Sequence, residues 1–155
     1  MAFFVSQGHQ LYFEEYGSGE AVVFLHEFGG DIRSWQLQMG CFSANYRCIA
    51  LSCRGYPPSD VPSDQADYGW QKTLDDVVVL LNTLGIEKAH FVGLSMGAFT
   101  GLMMCLQHPD LMLSLVAASG GSGAFPAGRD QFINKCMTLA AVSYTHLTLP
   151  TKRIV

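Results

Sequence analysis

The residues best suited to chemistry lie in the segment HFVGLSMGAFTG, residues 90–101, where Ser95 stands between Gly93 and Gly97. A serine hydroxyl becomes a nucleophile when a base takes its proton and N–H donors stabilise the oxyanion that its attack creates. Glycines two residues before and after the serine permit a sharp turn between a strand and a helix, because side chains there would clash. The spacing therefore predicts acyl transfer at Ser95, with the N–H of Met96 as one oxyanion donor.

A second loop could supply the other donor. The segment FLHEFGGD, residues 24–31, leaves a predicted strand through a histidine and a glycine-rich loop that contains Gly29. The backbone N–H of Phe28 or Glu27 is the expected donor, because a loop after a neighbouring strand completes such a hole. The alternative is an ordinary strand-to-helix turn that contains glycine.

The elements that must position these loops can be predicted from hydrophobic patterns. Two short apolar runs around Gly8 predict a β-hairpin over residues 3–19, and continuous apolar runs predict buried strands. Helical spacing and stop signals predict the helices between them. The predicted strands are 21–26, 46–52, 89–94 and 111–119, and the predicted helices are 31–42, 67–85 and 96–109. Strands that alternate with helices indicate an α/β fold with a mostly parallel sheet, and they place Ser95 at a strand-to-helix turn.

Composition narrows the classes of partner. The 155 residues suit one domain, and a net charge of −4 argues against a nucleic-acid partner. The five cysteines show no metal-binding spacing, which favours reduced thiols in the cytoplasm. No signal peptide and no apolar run of membrane-spanning length is found, so we expect a cytoplasmic protein without a membrane partner. We expect a small-molecule substrate and no metal or cofactor, and the oligomeric state stays open.

Four segments in order, LHEFGG, SCRGYPPSD, GLSMG and HPDLMLSLVAAS, resemble the α/β-hydrolase superfamily over about residues 1–125. The similarity is to the branch of small esterases, lactonases, C–C bond hydrolases and cofactor-free haloperoxidases. It implies an ester, lactone or related carbonyl substrate, a positioning role for His26, and a triad in the chain order serine, acid, histidine. The branches of dehalogenases and epoxide hydrolases, which attack with aspartate, are disfavoured by a serine at position 95.

Two residues depart from the pattern of this superfamily. Glu27 replaces a glycine of the oxyanion loop, and we expect its carboxylate to point away from the developing charge. Ser52 replaces an aspartate in a loop that is structural in the family, so this change bears little on function. Phe28, Trp35 and Phe99 could line an acyl pocket or simply belong to the core.

Two further functions stay open. A cofactor-free haloperoxidase or an acyltransferase would use the same nucleophile. A non-catalytic ligand-binding module would keep the hydrolase fold without a working triad.

The acid and the base of the catalytic triad still have to be assigned. After Ser95 the candidates are Asp110, Asp130, His108 and His146. His108 and Asp110 follow a helix that begins at the serine and carries them ~18 Å away. Asp130 opens a predicted lid helix and is expected to be a surface charge. His9 and His90 lie near strand starts, where a structural role is expected.

His146 lies in a segment of different character, VSYTHLTLPTKRIV, residues 142–155. Residues 142–151 resemble one translated reading frame of a transposase adapter used in shotgun sequencing libraries. We therefore expect 1–125 to be the N-terminal part of a hydrolase core, 126–141 to start a lid, and 142–155 to be non-native. The chain is then expected to be a truncated fragment without turnover, and its incomplete sheet to lack the later strands and most of the lid.

Overall fold

A computed structural model describes residues 2–120, and its sheet contains a fully buried strand flanked on both sides by other strands. The six strands are β1 (Ala2–Ser6), β2 (His9–Tyr16), β3 (Ala21–Leu25), β4 (Arg47–Leu51), β5 (Ala89–Leu94) and β6 (Met112–Ala118). The α-helices are α1 (Gln36–Phe42), α2 (Trp70–Thr83) and α3 (Met96–Gln107). Short 3-10 helices cover Ile32–Trp35, Gln65–Asp67 and Pro109–Leu111.

These strands form one sheet in the order β1-β2-β4-β3-β5-β6. The hairpin partners β1 and β2 are antiparallel, as are β2 and β4, whereas the β4–β3, β3–β5 and β5–β6 pairs are parallel. The predicted α/β class with a mostly parallel sheet is confirmed. Because the carboxyl ends of parallel strands meet at one edge, the loops after β3, β4 and β5 lie together there.

Alternation along β3 separates the core into two layers. Val23 and Leu25 pack with the buried faces of α2 and α3, while Val22 and Phe24 pack with Trp35 and its neighbours beside α1. All five residues of β3 are buried, which is why its sequence is an unbroken apolar run. Trp35 therefore belongs to the core.

The predicted elements exist, and their boundaries need small corrections. The predicted helix 31–42 opens as a 3-10 turn, which Asp31 caps by accepting the N–H of Arg33 at 2.8 Å, and becomes α-helical at Gln36. The predicted helix 67–85 begins only at Trp70, because the residues before it form a separate 3-10 turn.

A buried ion pair fastens the loop after β4 to α2. The Arg54 guanidinium donates from Nε to Asp76 Oδ2 at 2.8 Å and from Nη2 to Oδ1 at 2.6 Å. Its Nη1 also donates to the carbonyl of Asp67 at 2.8 Å. The two charged side chains are 1% and 0% exposed, so they compensate each other inside the core.

Within residues 2–120, no helix has the length and apolar character needed to cross a membrane. The proposed boundaries at 126–141 and 142–155 lie outside the described residues.

Candidate active site

Ser95 occupies a strained turn between β5 and α3. Its backbone has φ 52° and ψ −105°, in a region that L-residues rarely adopt. Its N–H donates to the carbonyl of Ala118 at the end of β6 at 2.9 Å, and its carbonyl accepts the N–H of Phe99 at 3.0 Å. Hydrogen bonds on both sides thus hold the strained residue, a pattern that recurs where a reactive side chain must be presented.

Both flanking glycines are required by the packing of this turn. A Cβ on Gly93 would overlap the backbone of Gly97, and a Cβ on Gly97 would overlap the carbonyl of Leu25 in β3. The physical reason given for the Gly-x-Ser-x-Gly spacing is therefore visible in the structure. The turn folds back so tightly that the start of α3 lies directly against the two central strands.

Met96 is the first residue of α3, so its N–H has no partner within the helix. The aligned peptide dipoles of the 12-residue helix also favour negative charge at this end. The start of α3 thus places a backbone N–H with positive partial charge next to Ser95, and its use as an oxyanion donor stays a prediction.

The loop after β3 is a tight turn in which Phe28 and Gly29 are exposed. The N–H of Gly30 donates to the carbonyl of Glu27 at 3.3 Å. The Glu27 carboxylate is held by the 3-10 helix that follows its loop, because Ser34 Oγ donates to its Oε1 at 2.9 Å. Its direction relative to the oxyanion site stays a prediction.

His26 is completely buried and holds this loop through hydrogen bonds of its ring. Its Nδ1 lies 2.8 Å from the carbonyl of Glu27, and its Nε2 lies 3.1 Å from the backbone N of Cys53. A carbonyl can only accept and an N–H can only donate, so Nδ1 carries the proton and the ring is neutral. Burial is the main cause that lowers the pKa of His26. The ring is a positioning element with both nitrogens occupied, so it is not available as a base.

Tyr56 anchors the same loop from the other side, and its role was missed in the sequence. Its hydroxyl donates to the carbonyl of Phe28 at 2.7 Å and lies 4.0 Å from the sulfur of Met96. Its ring contacts His26 edge-on, with 4.5 Å between the ring centroids. Burial raises the pKa of Tyr56, which keeps the hydroxyl a donor. Tyr56 therefore links the two segments that contain the proposed oxyanion donors.

The loop that presents Tyr56 is braced by hydroxyl groups. Ser52 Oγ donates to the carbonyl of Tyr56 at 2.8 Å, and Ser59 Oγ donates to the carbonyl of Ser52 at 2.6 Å. Ser59 Oγ in turn accepts the N–H of Tyr12 at 2.8 Å. Burial raises the pKa of the Cys53 thiol in this loop to about 12, so it is a neutral group and no rival nucleophile.

None of the four histidines within residues 2–120 is placed to serve as a base for Ser95. His26 is occupied as described, His9 pairs with Asp67 at 3.5 Å, and His90 contacts Ser114 and Glu20. His108 follows the last residue of α3, ~18 Å from the helix start at 1.5 Å per residue. His146 and Asp130 lie outside the described part of the chain.

The remaining predicted aromatic residues differ in their surroundings. Phe28 is half exposed in the loop after β3, and Phe99 packs edge-on against Trp70 with 6.3 Å between the ring centroids. Within residues 2–120, no group of three or more histidine, cysteine or carboxylate side chains could hold a metal ion.

Comparison with known proteins places this geometry in context. Residues 20–144 match the model of the alpha/beta hydrolase fold family. A fluoroacetate dehalogenase from a Burkholderia species is 36% identical over 102 residues, which is 64% of this chain and 34% of that protein. Epoxide hydrolase 2 from Siraitia grosvenorii is 36% identical over 115 residues, covering 74% of this chain and 36% of that protein.

Among solved structures, the N-acyl homoserine lactone degrading enzyme Est816 is similar with a TM-score of 0.77 at 29% identity. That match covers 88% of this chain and 54% of the other. The chain thus spans about a third of the length of each of these two curated relatives.

Proposed function

Because the chain belongs to the alpha/beta hydrolase family, we propose that it carries the nucleophile and oxyanion loop of a serine hydrolase acting on esters, lactones or related carbonyl substrates. The observation that carries this proposal is the strained Ser95 at the start of α3, with φ 52° and glycines that no other residue could replace without overlap. Strained backbone of this kind is concentrated at active sites, and at Ser95 it coincides with the start of a helix and with two glycines that the turn requires.

The identity of the nucleophile separates this proposal from the activities in the names of the curated relatives. If a serine oxygen displaced fluoride or opened an epoxide at carbon, the product would be an alkyl ether, which water does not cleave at a useful rate. Attack by Ser95 on an ester or lactone carbonyl instead gives an acyl-serine, which water can hydrolyse. The lactone-degrading activity in the description of Est816 is of this second kind, and we carry that class over to this chain.

We assign the oxyanion hole to the N–H groups of Met96 and Phe28. The carbonyl of Glu27 faces Nδ1 of His26, and in a trans peptide the following N–H, that of Phe28, points the opposite way. Tyr56 fixes the next carbonyl of the loop. His26 and Tyr56 thereby set the directions of two successive peptide groups, which is the preorganisation that stabilises a developing negative charge.

We further propose that the acid and base of the triad belong to native sequence encoded beyond residue 141. All four histidines within residues 2–120 are either hydrogen-bonded elsewhere or far from Ser95. The chain also spans only about a third of the length of the two curated relatives compared above. On this proposal the 155-residue chain has no turnover at Ser95, because the serine keeps its proton. We also propose a small-molecule substrate and a cytoplasmic location, in keeping with the free state of the four described cysteines.

The test uses the gene with its native codons downstream of codon 141 and a fluorophosphonate probe, with tandem mass spectrometry to map the labelled serine. We expect Ser95 to be labelled in the parent protein and in Ser18→Ala, and we expect Ser95→Ala to lose this labelling and most of the hydrolysis of p-nitrophenyl esters. Failure of Ser95 to react in a folded full-length protein would reject the catalytic assignment and favour a non-catalytic ligand-binding module.

Two additional measurements refine this result. Transfer of the acyl group to an alcohol or to hydrogen peroxide, rather than to water, would identify an acyltransferase or a cofactor-free haloperoxidase. Ester hydrolysis by the 155-residue chain that disappears in Ser95→Ala would place the base within this chain and reject only the proposal that it is a fragment.

A further inference from the structure

A second serine, Ser114, forms a hydrogen-bonded row with a histidine and a glutamate far from the elbow. His90 Nδ1 lies 2.7 Å from Ser114 Oγ, and His90 Nε2 lies 3.1 Å from Glu20 Oε2. In the chain His90 lies 24 positions from Ser114 and 70 positions from Glu20, so no local motif predicts these contacts. Nothing in the chemistry proposed for Ser95 uses any of them.

Three adjacent strands bring these side chains into line. His90 on β5 faces Ser114 on β6 in the parallel register, and Glu20 immediately precedes β3, whose Val22 is the partner of His90 on the other side. The side chains of a cross-strand pair lie on the same face of a sheet, so contact between His90 and Ser114 follows from the register. The row therefore runs from β6, at the edge of the described sheet, across β5 to Glu20 in the bend just before β3.

The hydrogen bonds define the protonation of the row. An ionised carboxylate can only accept, so the His90 nitrogen nearest Glu20 must carry a hydrogen. In the neutral ring the other nitrogen, Nδ1, is then an unprotonated acceptor that faces the Ser114 hydroxyl. This is the order of a nucleophile, its base and the carboxylate that orients the base.

An apolar cavity of about 180 Å³ opens beside the row, and Ser114 and His90 form part of its wall. The remaining lining is largely hydrophobic: Val22, Phe24, Phe42, Tyr46, Val92 and Val116. Tyr46 also meets the His90 ring edge-on, with 6.2 Å between the centroids. The aromatic lining suits a small aryl group, and the serine and histidine at its wall suit an electrophilic centre attached to that group.

The cavity is separate from the elbow. Ser95 contacts the carbonyl of Ala118, four residues further along β6 than Ser114, which corresponds to ~13 Å of strand. α3 packs on the opposite face of β6, where Gly101 meets Leu115. A reagent in this cavity is therefore outside the Ser95 site.

We propose that Ser114, His90 and Glu20 form a second nucleophilic site that accepts acyl groups from short aryl esters. Ser114 Oγ attacks the ester carbonyl while its proton passes to His90 Nδ1, and the Nε2–H of the resulting imidazolium stays hydrogen-bonded to Glu20. The bond between the carbonyl carbon and the aryl oxygen breaks, and the aryloxide leaves with that proton. Water then attacks the acyl-Ser114, giving its proton to His90, and the acid and the original serine are released. Ser114 and His90 are the catalytic residues, and Glu20 is a positioning residue.

The site lies wholly within residues 2–120, so the 155-residue chain itself can be tested, with Ser95→Ala in every sample to silence the elbow. The probe is a fluorophosphonate, whose phosphorus–fluorine bond is replaced by a bond to the serine oxygen while His90 takes the proton. We expect tandem mass spectrometry to locate the phosphonyl group on Ser114. Ser43, whose hydroxyl donates to the carbonyl of Gly40, is the internal control and should stay unlabelled.

Variants of the row then separate a catalytic arrangement from a merely structural one. Loss of a general base costs about 100-fold or more, so His90→Gln should slow labelling of Ser114 by that factor. Glu20→Gln should lower kcat for p-nitrophenyl acetate several-fold with KM unchanged, because Glu20 does not touch the ester. Thermal melts of each variant show that the fold is retained.

Labelling of Ser114 no faster than that of Ser43, or at the same rate after His90→Gln, would overturn the proposal. If His90→Gln fails to fold, the Glu20→Gln variant decides, since its carboxylate is more than half exposed and the substitution is nearly isosteric. An unchanged kcat in that variant would then show that Glu20 does not assist His90 and Ser114 in catalysis. Failure here leaves the assignment of Ser95 untouched, because that assignment rests on different residues.

Discussion

The imidazole of His26 accepts the backbone N–H of Cys53 at 3.1 Å and thereby joins the loop after β3 to the loop after β4. The other ring nitrogen donates to the carbonyl of Glu27. A protonated ring would have no lone pair for Cys53, so this connection exists only with neutral His26. The proposed oxyanion loop is consequently tied to the protonation state of a fully buried group.

The first prediction concerns stability against pH. Because burial lowers the pKa of folded His26, the unfolded chain takes up a proton at about pH 6.5 and the folded chain only at lower pH. The free energy of unfolding should therefore lose up to about 1.4 kcal/mol per pH unit from this group as the pH falls below that value. Chemical denaturation between pH 7.5 and 5 measures this slope.

His26→Gln is the matched variant for this experiment. It should be less stable at pH 7.5 but show a shallower decline with falling pH, because glutamine does not titrate. Equal slopes of the free energy of unfolding against pH in the two proteins would show that His26 does not cause the loss of stability at low pH.

The second prediction concerns the buried pair of Arg54 and Asp76. Removing one partner leaves a charge in the core, which costs about 3–5 kcal/mol. Asp76→Ala should therefore lower the free energy of unfolding by that amount. The adjacent Asp75 accepts a hydrogen bond from Gln71 and acts on Arg54 through its charge alone, so Asp75→Ala should cost less than about 1 kcal/mol. Similar losses in the two variants would contradict the importance of the pair.

The features that could be predicted from the sequence are those that local pattern determines. The unbroken apolar run of β3, the hairpin around Gly8 and the stop at Gly85 each depend on neighbouring residues, and the structure has them where expected. The elbow at Ser95 was predictable for the same reason, since its glycines lie two residues away. The family match confirms the fold class that these patterns indicated.

The contacts that hold the site together were not predictable in this way. Tyr56 meets the carbonyl of Phe28 across 28 residues, and Arg54 meets Asp76 across 22. Such pairs depend on which loops the sheet order brings together, and one sequence does not specify a strand order of β4-β3-β5. The only local signal for Tyr56 was its place in a loop that resembles a structural loop of the hydrolase family.

The third prediction concerns glycine at the elbow. Gly97→Ala should destabilise the protein by about 3 kcal/mol or more, because the added Cβ would overlap the carbonyl of Leu25. Gly40 lies within α1 with no atom within 4 Å of an added Cβ. Gly40→Ala should instead stabilise the protein by about 0.5–1 kcal/mol through helix propensity. Thermal or urea unfolding distinguishes the two, and equal effects would argue against close packing at the elbow.

The last prediction concerns the hydroxyl of Tyr56 in the full-length enzyme. Tyr56→Phe keeps the ring contact with His26 but removes the donor that fixes the carbonyl of Phe28. A hydrogen bond worth about 0.5–1.5 kcal/mol corresponds to a roughly 2- to 12-fold loss of rate if it orients the oxyanion loop. We expect kcat for p-nitrophenyl esters to fall by this factor with KM nearly unchanged, since a loop that binds the transition state more weakly leaves substrate binding intact. Tyr16→Phe makes the same chemical change at an exposed tyrosine on β2 that bonds to Glu14, and it should leave kcat unchanged. A Tyr56→Phe enzyme with normal kcat would show that the second oxyanion donor does not depend on the hydrogen bond from Tyr56 to the carbonyl of Phe28.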